Sequence, residues 1–231
     1  MTPPEAWLRV VLYDMRETAF DHFDSLLTYM HSNVEYFSTV LEKHRGFTAG
    51  YWGVDLDEGK IAAVTHWESL QAIQDAAGDL ERLQADAEVH GIHRMHVQNI
   101  QLFPLPGLST GTGPDGTAAD GTAVPAESWL RVVTYQADAA DGHARGYMLD
   151  HIQDFLRVLE QQPGFLRGYW GRDLVAGTMA AVTFWASRRA IVSARPALQR
   201  LQVEAVSEGV RPVDVRNIHL FAGRPRAGRG G

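Results

Sequence analysis

Apolar residues recur along the chain with two spacings, and both halves show these spacings in the same order. Short runs rich in β-branched and aromatic residues, such as residues 8–13 and 60–67, are typical of strands. Between Phe23 and Leu41, apolar residues at steps of three and four indicate an amphipathic helix. Each half is therefore predicted to run strand, helix, strand, strand, helix, strand.

The ends of these elements are also readable. Ser69 and Ser187 are predicted to cap the second helix of each half, because a serine oxygen can accept a hydrogen bond from the first turn. The predicted strands of the first half span residues 8–13, 47–54, 60–67 and 97–103, and the last strand of the second half spans residues 215–221.

The chain contains an internal repeat. Residues 46–103 match residues 164–221 at a constant offset of 118, with 29 identities in 58 positions, and the openings WLRVVLY and WLRVVTY match at an offset of 122. A period of this length is too long for a solenoid unit, so each copy is predicted to form its own core. The predicted organisation is a first domain over 1–103, a linker rich in Gly, Pro, Thr and Ala over 104–127, a second domain over 128–222 and a disordered tail over 223–231.

The order of elements in each copy is that of the ferredoxin-like β-α-β-β-α-β motif. Its helices cover one face of a four-stranded sheet, and the other face must be buried against something. The second copy is the natural partner. The predicted fold class is therefore α+β, with two ferredoxin-like repeats packed sheet to sheet as an intramolecular dimeric α+β barrel, in a pseudo-dimeric monomer or a higher homo-oligomer.

Charge and composition narrow the range of partners. The net charge is −7 and neither copy has a basic stripe, which argues against nucleic acid. No run of about 18 apolar residues occurs and the opening lacks a signal-peptide pattern, so we expect a cytoplasmic protein with no membrane partner. Cysteine is absent, which excludes disulfides, thiolate nucleophiles and cysteine-based metal sites.

Two segments carry a family resemblance. G-F-x-x-G-Y-W lies on the second strand of each copy, and V-T-x-W-x-S runs from the third strand into the next helix. Domains of this length with both segments resemble the antibiotic biosynthesis monooxygenase superfamily. Its tandem-repeat members are similar to oxygenases that open a ring of angucycline-type aromatic polyketides, using reduced flavin (FADH2 or FMNH2) from a separate reductase. Its single-domain members oxidise anthrones to quinones without a bound cofactor.

The chain departs from this family at informative positions. In the quinone-forming relatives an Asn four residues before the strand Trp binds the substrate oxygen, whereas this chain has Ala63 and Ala181 there. Haem-degrading relatives pair that Trp with a histidine on the following helix, but this helix offers none before His90. These differences count against a simple anthrone mechanism and against haem as the cofactor.

Strand alternation and the resemblance together select candidate site residues. Thr65 and Trp67 share a strand face, and in the family that face looks toward the helices and the pocket. Trp67 and Trp185 are expected to form the catalytic wall for a flat substrate. Ordinary packing is the alternative for each candidate. The expected substrate-binding residues are Tyr51, Tyr169, Tyr29, Tyr147, Thr65, Thr183, Asn99 and Asn217.

Histidine is the residue in which the copies differ most. His31 and His151 have no histidine at the matched position of the other copy, so the two pockets are expected to have diverged. Both lie on the helix expected to roof the pocket and are predicted bases for forming a phenolate, with a solvated surface position as the alternative. His90, His93 and His96 lead out of a helix into a strand, where three rings would not converge, so no metal site is predicted.

Two classes of function fit these features. The first is an oxygenase that acts on a polycyclic aromatic polyketide or a related phenol or quinol by hydroxylation, quinone formation or oxidative ring cleavage. Electrons for O2 would come from reduced flavin or from the substrate, so the partners would be a small aromatic substrate and a flavin reductase. The second is a non-catalytic protein that binds a hydrophobic ligand. A haem-binding or haem-degrading protein is a further alternative.

Overall fold

Both copies of the repeat fold into the predicted order of elements. The computed structural model describes residues 6–15, 23–55, 57–103, 124–125, 127–137 and 142–225. The first copy forms β1 (Trp7–Asp14), α1 (Phe23–Leu41), β2 (Phe47–Asp55), β3 (Lys60–Trp67), α2 (Leu70–Asp75), α3 (Ala77–Glu88) and β4 (His93–Leu102). The second copy forms β5 (Trp129–Ala137), α4 (Gly142–Glu160), β6 (Phe165–Asp173), β7 (Thr178–Trp185), α5 (Arg188–Ser193), α6 (Arg195–Ser207) and β8 (Val210–Pro225).

The eight strands of the described chain close into one barrel. Their order around it is β1, β3, β2, β8, β5, β7, β6, β4, and every neighbouring pair is antiparallel. The copies join where β2 pairs with β8 and where β4 pairs with β6. The fold is an α+β barrel of two ferredoxin-like repeats, as the sequence predicts.

Alternation along each strand separates the barrel interior from the helix-covered outer face. On β1, Leu8, Val10 and Leu12 join an apolar cluster inside the barrel to which both copies contribute. Val11 and Tyr13 lie on the opposite face, in the wall of a cavity below the helices. Side chains of both copies thus fill the barrel, and the cavities described below lie on its outer side.

Several boundaries differ from the sequence prediction. The second helix of each copy is broken at a buried alanine, Ala76 or Ala194, although Ser69 and Ser187 cap it as predicted. The last strands begin earlier, at His93 and Val210, because their pairing with β1 and β5 continues past a bulge.

The predicted tail over 223–231 begins too early. Strand β8 runs to Pro225 and pairs there with β2, since the edge of β2 offers backbone groups that need partners. Residues 226–231, and residues 104–123 and 126 of the predicted linker, lie outside the described residues. The helices of the described ranges are too short or too polar to cross a lipid bilayer.

Candidate functional site

A cavity lies in the first copy between the outer face of the sheet and helices α1 and α3. Most of its wall is apolar, including Phe37 and Trp52. Its polar side chains are Arg9, Tyr13, Tyr29, Thr65 and Gln84. An apolar cleft with a few convergent polar groups is the usual form of a small-molecule site.

The second copy contains a matching cavity. Among the described residues thirteen line it, and each is the same amino acid as its partner in the first cavity. These residues are Arg131, Val133, Tyr135, Met148, Phe155, Leu159, Trp170, Ala181, Thr183, Leu198, Leu201, Gln202 and Ala205.

The expected divergence of the two pockets is therefore confined to a few lining positions: Met179 and Val210 stand where the first cavity has Ile61 and Ile92, and Tyr29 has no counterpart in the described lining of the second cavity. Half of the aligned positions of the copies differ, with 29 identities in 58. A core held only by packing tolerates exchanges among apolar residues of similar size. By contrast, Arg, Tyr, Thr and Gln are retained in the mostly apolar wall of both cavities.

Each cavity contains a partly buried arginine that an asparagine positions. Arg9 Nη1 lies 3.4 Å from Asn99 Oδ1, and Arg131 Nη1 lies 3.1 Å from Asn217 Oδ1. Burial lowers the pKa of both guanidinium groups from their ordinary value. The predicted asparagines therefore contact these arginines, which the sequence analysis missed although β1 alternation places Arg9 on the same strand face as Val11.

Trp67 and Trp185 lie behind the cavity wall that they were expected to form. They are almost completely buried, and the indole Nε1 of each donates a hydrogen bond to Thr65 or Thr183, at 2.9 Å in both copies. The two threonines face the cavities as predicted. In the described lining of the first cavity the tryptophan is Trp52, from β2. Trp170, from β6, takes the same place in the second cavity.

A tyrosine on β1 and β5 offers each cavity a neutral phenol. Burial raises the pKa of Tyr13, and it raises the pKa of Tyr135 to about 12. Both side chains are therefore protonated at neutral pH and can donate a hydrogen bond to a ligand. Neither was among the predicted residues, although both occur at the same place in the repeat.

Tyr29 forms a hydrogen-bonded pair with a histidine in the first cavity. It lines the cavity as predicted, and its hydroxyl lies 3.1 Å from Nδ1 of His90. Burial, followed by the nearby Asp86 carboxylate, raises the pKa of Tyr29. His90 was interpreted as part of a solvated connection, because the sequence does not show that the turn after α3 folds back onto α1.

The matching tyrosine of the second copy has other surroundings. Tyr147 is absent from the described lining of the second cavity and stacks on His151 with ring centroids 4.4 Å apart. Burial, with Glu204 and Glu208, raises the pKa of Tyr147 to about 12. Its ability to donate a proton is therefore lower than that of an ordinary tyrosine.

The structure does not bring the two predicted histidine bases into the cavities. His151 Nδ1 lies 2.9 Å from the Tyr147 carbonyl oxygen, and Asn33 makes the same kind of contact to Tyr29 in the first copy. His31 is exposed and contacts Phe221 edge-on. Neither histidine belongs to the described cavity linings, because both point away from the apolar face of their helix.

Tyr51 and Tyr169 point into the barrel and not toward the helix-side cavities. Both belong to the interior cluster, since the neighbouring tryptophans on β2 and β6 take the outer face. Arg167 donates a hydrogen bond to the Tyr51 hydroxyl, and its guanidinium lies 4.7 Å from the Phe184 ring. In the described part of the chain no three histidine, aspartate or glutamate side chains come together as a metal site.

Solved structures share this fold. A protein of Fusobacterium nucleatum with the provisional name monooxygenase superposes with a TM-score of 0.65 at 10% identity, covering 98% of this chain and 97% of that one. An anthrone oxidase-like protein superposes with a TM-score of 0.61 at 14% identity, covering 100% and 97%. A haem-binding protein of Thermus thermophilus superposes with a TM-score of 0.58 at 10% identity, covering 94% and 91%.

No model of a known protein family matches the sequence, and no curated protein matches it. At the identities above, the likeness to solved structures shows the fold alone. The function must therefore be argued from the cavities.

Proposed function

We propose that this protein is an oxygenase that acts on a polycyclic aromatic polyketide or a related phenol. The observation that carries the proposal is the lining common to both cavities, where the same polar side chains interrupt an apolar wall. Such a wall suits a flat substrate with a few oxygen atoms. The G-F-x-x-G-Y-W and V-T-x-W-x-S segments, which resemble antibiotic biosynthesis monooxygenases, support the same reaction class.

In the first cavity the residues suit the formation of a substrate phenolate. The phenol proton of the substrate passes through the Tyr29 hydroxyl to an unprotonated His90 Nδ1, and the Nδ1–H so formed donates a hydrogen bond to the Asp86 carbonyl oxygen, 3.0 Å away. The Arg9 guanidinium stabilises the negative charge that develops on the substrate. Tyr13 donates a hydrogen bond to a second substrate oxygen. The phenolate is richer in electrons than the phenol and reacts more readily with oxygen. The role proposed from sequence for His31 thus belongs to His90.

Electrons for O2 come from reduced flavin or from the substrate. Reduced flavin from a separate reductase supplies two electrons, so that O2 places one oxygen atom in the product and one in water. Oxidation of a ring CH2 to a carbonyl consumes O2 and releases water without outside electrons. The ratio of flavin oxidised to product formed distinguishes the two routes.

Oxygen uptake with a hydroxylated naphthoquinone or benz[a]anthracene tests this proposal, with reduced flavin and a reductase present. Tyr29→Phe and His90→Gln should each lower kcat by roughly tenfold to hundredfold, because each breaks the proton path. Tyr36→Phe is the matched control, since Tyr36 lies on the same helix but is exposed. Full activity in both cavity variants contradicts the assigned path. Because reduced flavin consumes O2 by itself, substrate conversion no greater than in a reaction without the protein contradicts the oxygenase.

A non-catalytic binding role is the second candidate, and one difference between the copies favours it. Glu208 stands where the first copy has His90, so the second cavity lacks the tyrosine and histidine pair. A binding protein would take up the aromatic ligand in both cavities and leave O2 and ligand unchanged. For haem, the described linings of the two cavities offer no histidine ligand.

A further inference from the structure

The mouth of the second cavity is positively charged. An opening adjoins the cavity and shares Arg131, Leu198 and Gln202 with it. No carboxylate occurs in the described lining of this opening. Its polar lining consists of Arg131, Arg188, Arg195, Gln199, Gln202 and Asn217.

Neighbouring side chains orient these arginines. Asn217 positions Arg131, as described above. Burial lowers the pKa of Arg131, and the positive charge of the nearby Arg195 lowers it further. Arg188 lies over the Trp129 ring at 5.6 Å, and its Nη2 lies 2.7 Å from Asp57 Oδ2. This last pair is exposed and holds Arg188 only weakly. Positive charge therefore gathers at one opening.

The matched positions of the first copy lack this charge, although its cavity shares all thirteen described lining residues of the second. At the positions matched to Arg188 and Arg195 it has Leu70 and Ala77, and Glu81 replaces Gln199. The two copies therefore differ in the charge of the entrance while most of the lining behind it is the same. Different entrances on the same cavity imply ligands of different charge.

We propose that the second cavity binds an aromatic anion, with the ring in the apolar cavity and a carboxylate or phosphate at Arg131, Arg188 and Arg195. Planar guanidinium groups suit such anions because they can donate two parallel hydrogen bonds. The inference rests on the proposed function, since it takes the cavities to be sites for aromatic ligands. Two sources carry this chemistry: an acidic substrate or product, and the phosphate of a flavin.

A pair of fluorescent probes tests the charge requirement without turnover. 1-Anilinonaphthalene-8-sulfonate is an anion, and N-phenyl-1-naphthylamine has the same rings without the charge. The variant Arg188→Leu/Arg195→Ala places the residues of the first copy at these two positions of the second entrance. Its Kd for the anionic probe should rise about tenfold, and its Kd for the neutral probe should change less than about twofold, as expected when only charged contacts are lost. Salt should weaken binding of the anionic probe to the unmodified protein.

The control variant is Arg189→Ala/Arg200→Ala, which removes equal charge from exposed positions on the same two helices. It should bind the anionic probe like the unmodified protein. Equal binding of that probe by the entrance variant and the unmodified protein overturns the proposal, as does an equal loss in the control. The neutral probe and the melting temperature show whether each variant is folded.

Displacement of the bound anionic probe identifies the source of the anion. Displacement by 1-naphthoate assigns an acidic substrate or product. Displacement by flavin mononucleotide, with riboflavin inactive, assigns a flavin phosphate. Failure of both anions to displace the probe overturns the site. Because no step requires turnover, a failure of the oxygenase proposal would leave this binding result intact.

Discussion

At the scale of single residues, two glycines leave room for the indole rings of the tryptophans that line the cavities. Gly50 and Trp52 lie two residues apart on one face of β2, and a Cβ at Gly50 would lie 2.3 Å from Cη2 of the indole. Gly168 and Trp170 repeat this arrangement at 2.5 Å. The indole therefore lies across a glycine, so the G-Y-W part of the family-like segment builds the cavity wall.

Gly50→Ala should displace the Trp52 ring and narrow the first cavity. We expect a loss of about 1–3 kcal/mol in the free energy of unfolding, with weaker binding of N-phenyl-1-naphthylamine. Urea denaturation and probe titration measure both. Gly78→Ala is the control, because its Cβ would meet no atom within 4 Å, and a helical glycine exchanged for alanine usually gains about 0.5–1 kcal/mol. Unchanged stability and binding in Gly50→Ala would contradict the role of the glycine.

At the scale of elements, the two seams between the copies depend on close backbone approach. A Cβ at Gly53 would lie 2.4 Å from the His219 carbonyl oxygen, and one at Gly171 would lie 2.3 Å from the Gln101 carbonyl oxygen. The β2–β8 seam pairs residues 49–54 of β2, whereas the β4–β6 seam pairs only residues 100–102 of β4. The shorter seam is therefore the weaker closure of the barrel.

Gly171→Ala should open the β4–β6 seam, since backbone atoms cannot move aside as a flexible side chain can. We expect a loss of about 3 kcal/mol in stability and faster amide hydrogen exchange in residues 100–102. Hydrogen exchange followed by mass spectrometry measures the effect. Gly53→Ala is the matched variant, and its faster exchange should be confined to β2 and β8. If the amides of residues 100–102 exchange no faster in Gly171→Ala than in the unmodified protein, this account of the seam is wrong.

At the scale of the whole molecule, fusion of the copies permits an asymmetric barrel interior. Arg167 faces Tyr51 across the barrel, and the first copy has Ala49 at the matched position. His66 lies 4.8 Å from the Tyr169 ring, near this guanidinium. A dimer of identical chains would place two such arginines in one apolar interior, where like charges repel. The fused chain places an arginine, Arg167, at this position in the second copy only.

His66 should make the protein less stable in mild acid. Burial, and then the Arg167 charge, lowers its pKa well below the ordinary 6.5. Below pH 6.5 the unfolded chain therefore binds a proton that the folded chain does not. As the pH decreases below 6.5, the free energy of unfolding decreases by up to about 1.4 kcal/mol per pH unit. Above pH 6.5 the effect vanishes.

Two variants test this pH dependence. His66→Phe, the residue of the second copy, and His66→Gln, which stays polar, should both show a flatter fall in melting temperature between pH 7.5 and pH 5.5. A slope equal to that of the unmodified protein in both variants would assign the acid sensitivity to other groups.

Much of the fold could be predicted from the chain because its signals are local or repeated. The periods of apolar residues predict the strands and helices, and the repeat with a bare sheet face predicts the barrel. The site was predicted less well. Thr65 and Tyr29 reach the first cavity, whereas Trp67 and His31 do not. Comparison of the two copies at strand positions facing the helices would have found Arg9 and Tyr13.

The sequence by itself determined which faces of the strands turn inward and that two equal units must cover each other, because these follow from the periods of apolar residues and from the burial they require. Only the tertiary structure decided the partnerships across space. The turn after α3 brings His90 to Tyr29, and the second entrance gathers Arg131, Arg188 and Arg195 from β5, α5 and α6. Such contacts depend on chain segments far apart in sequence, whose relative positions no local pattern records.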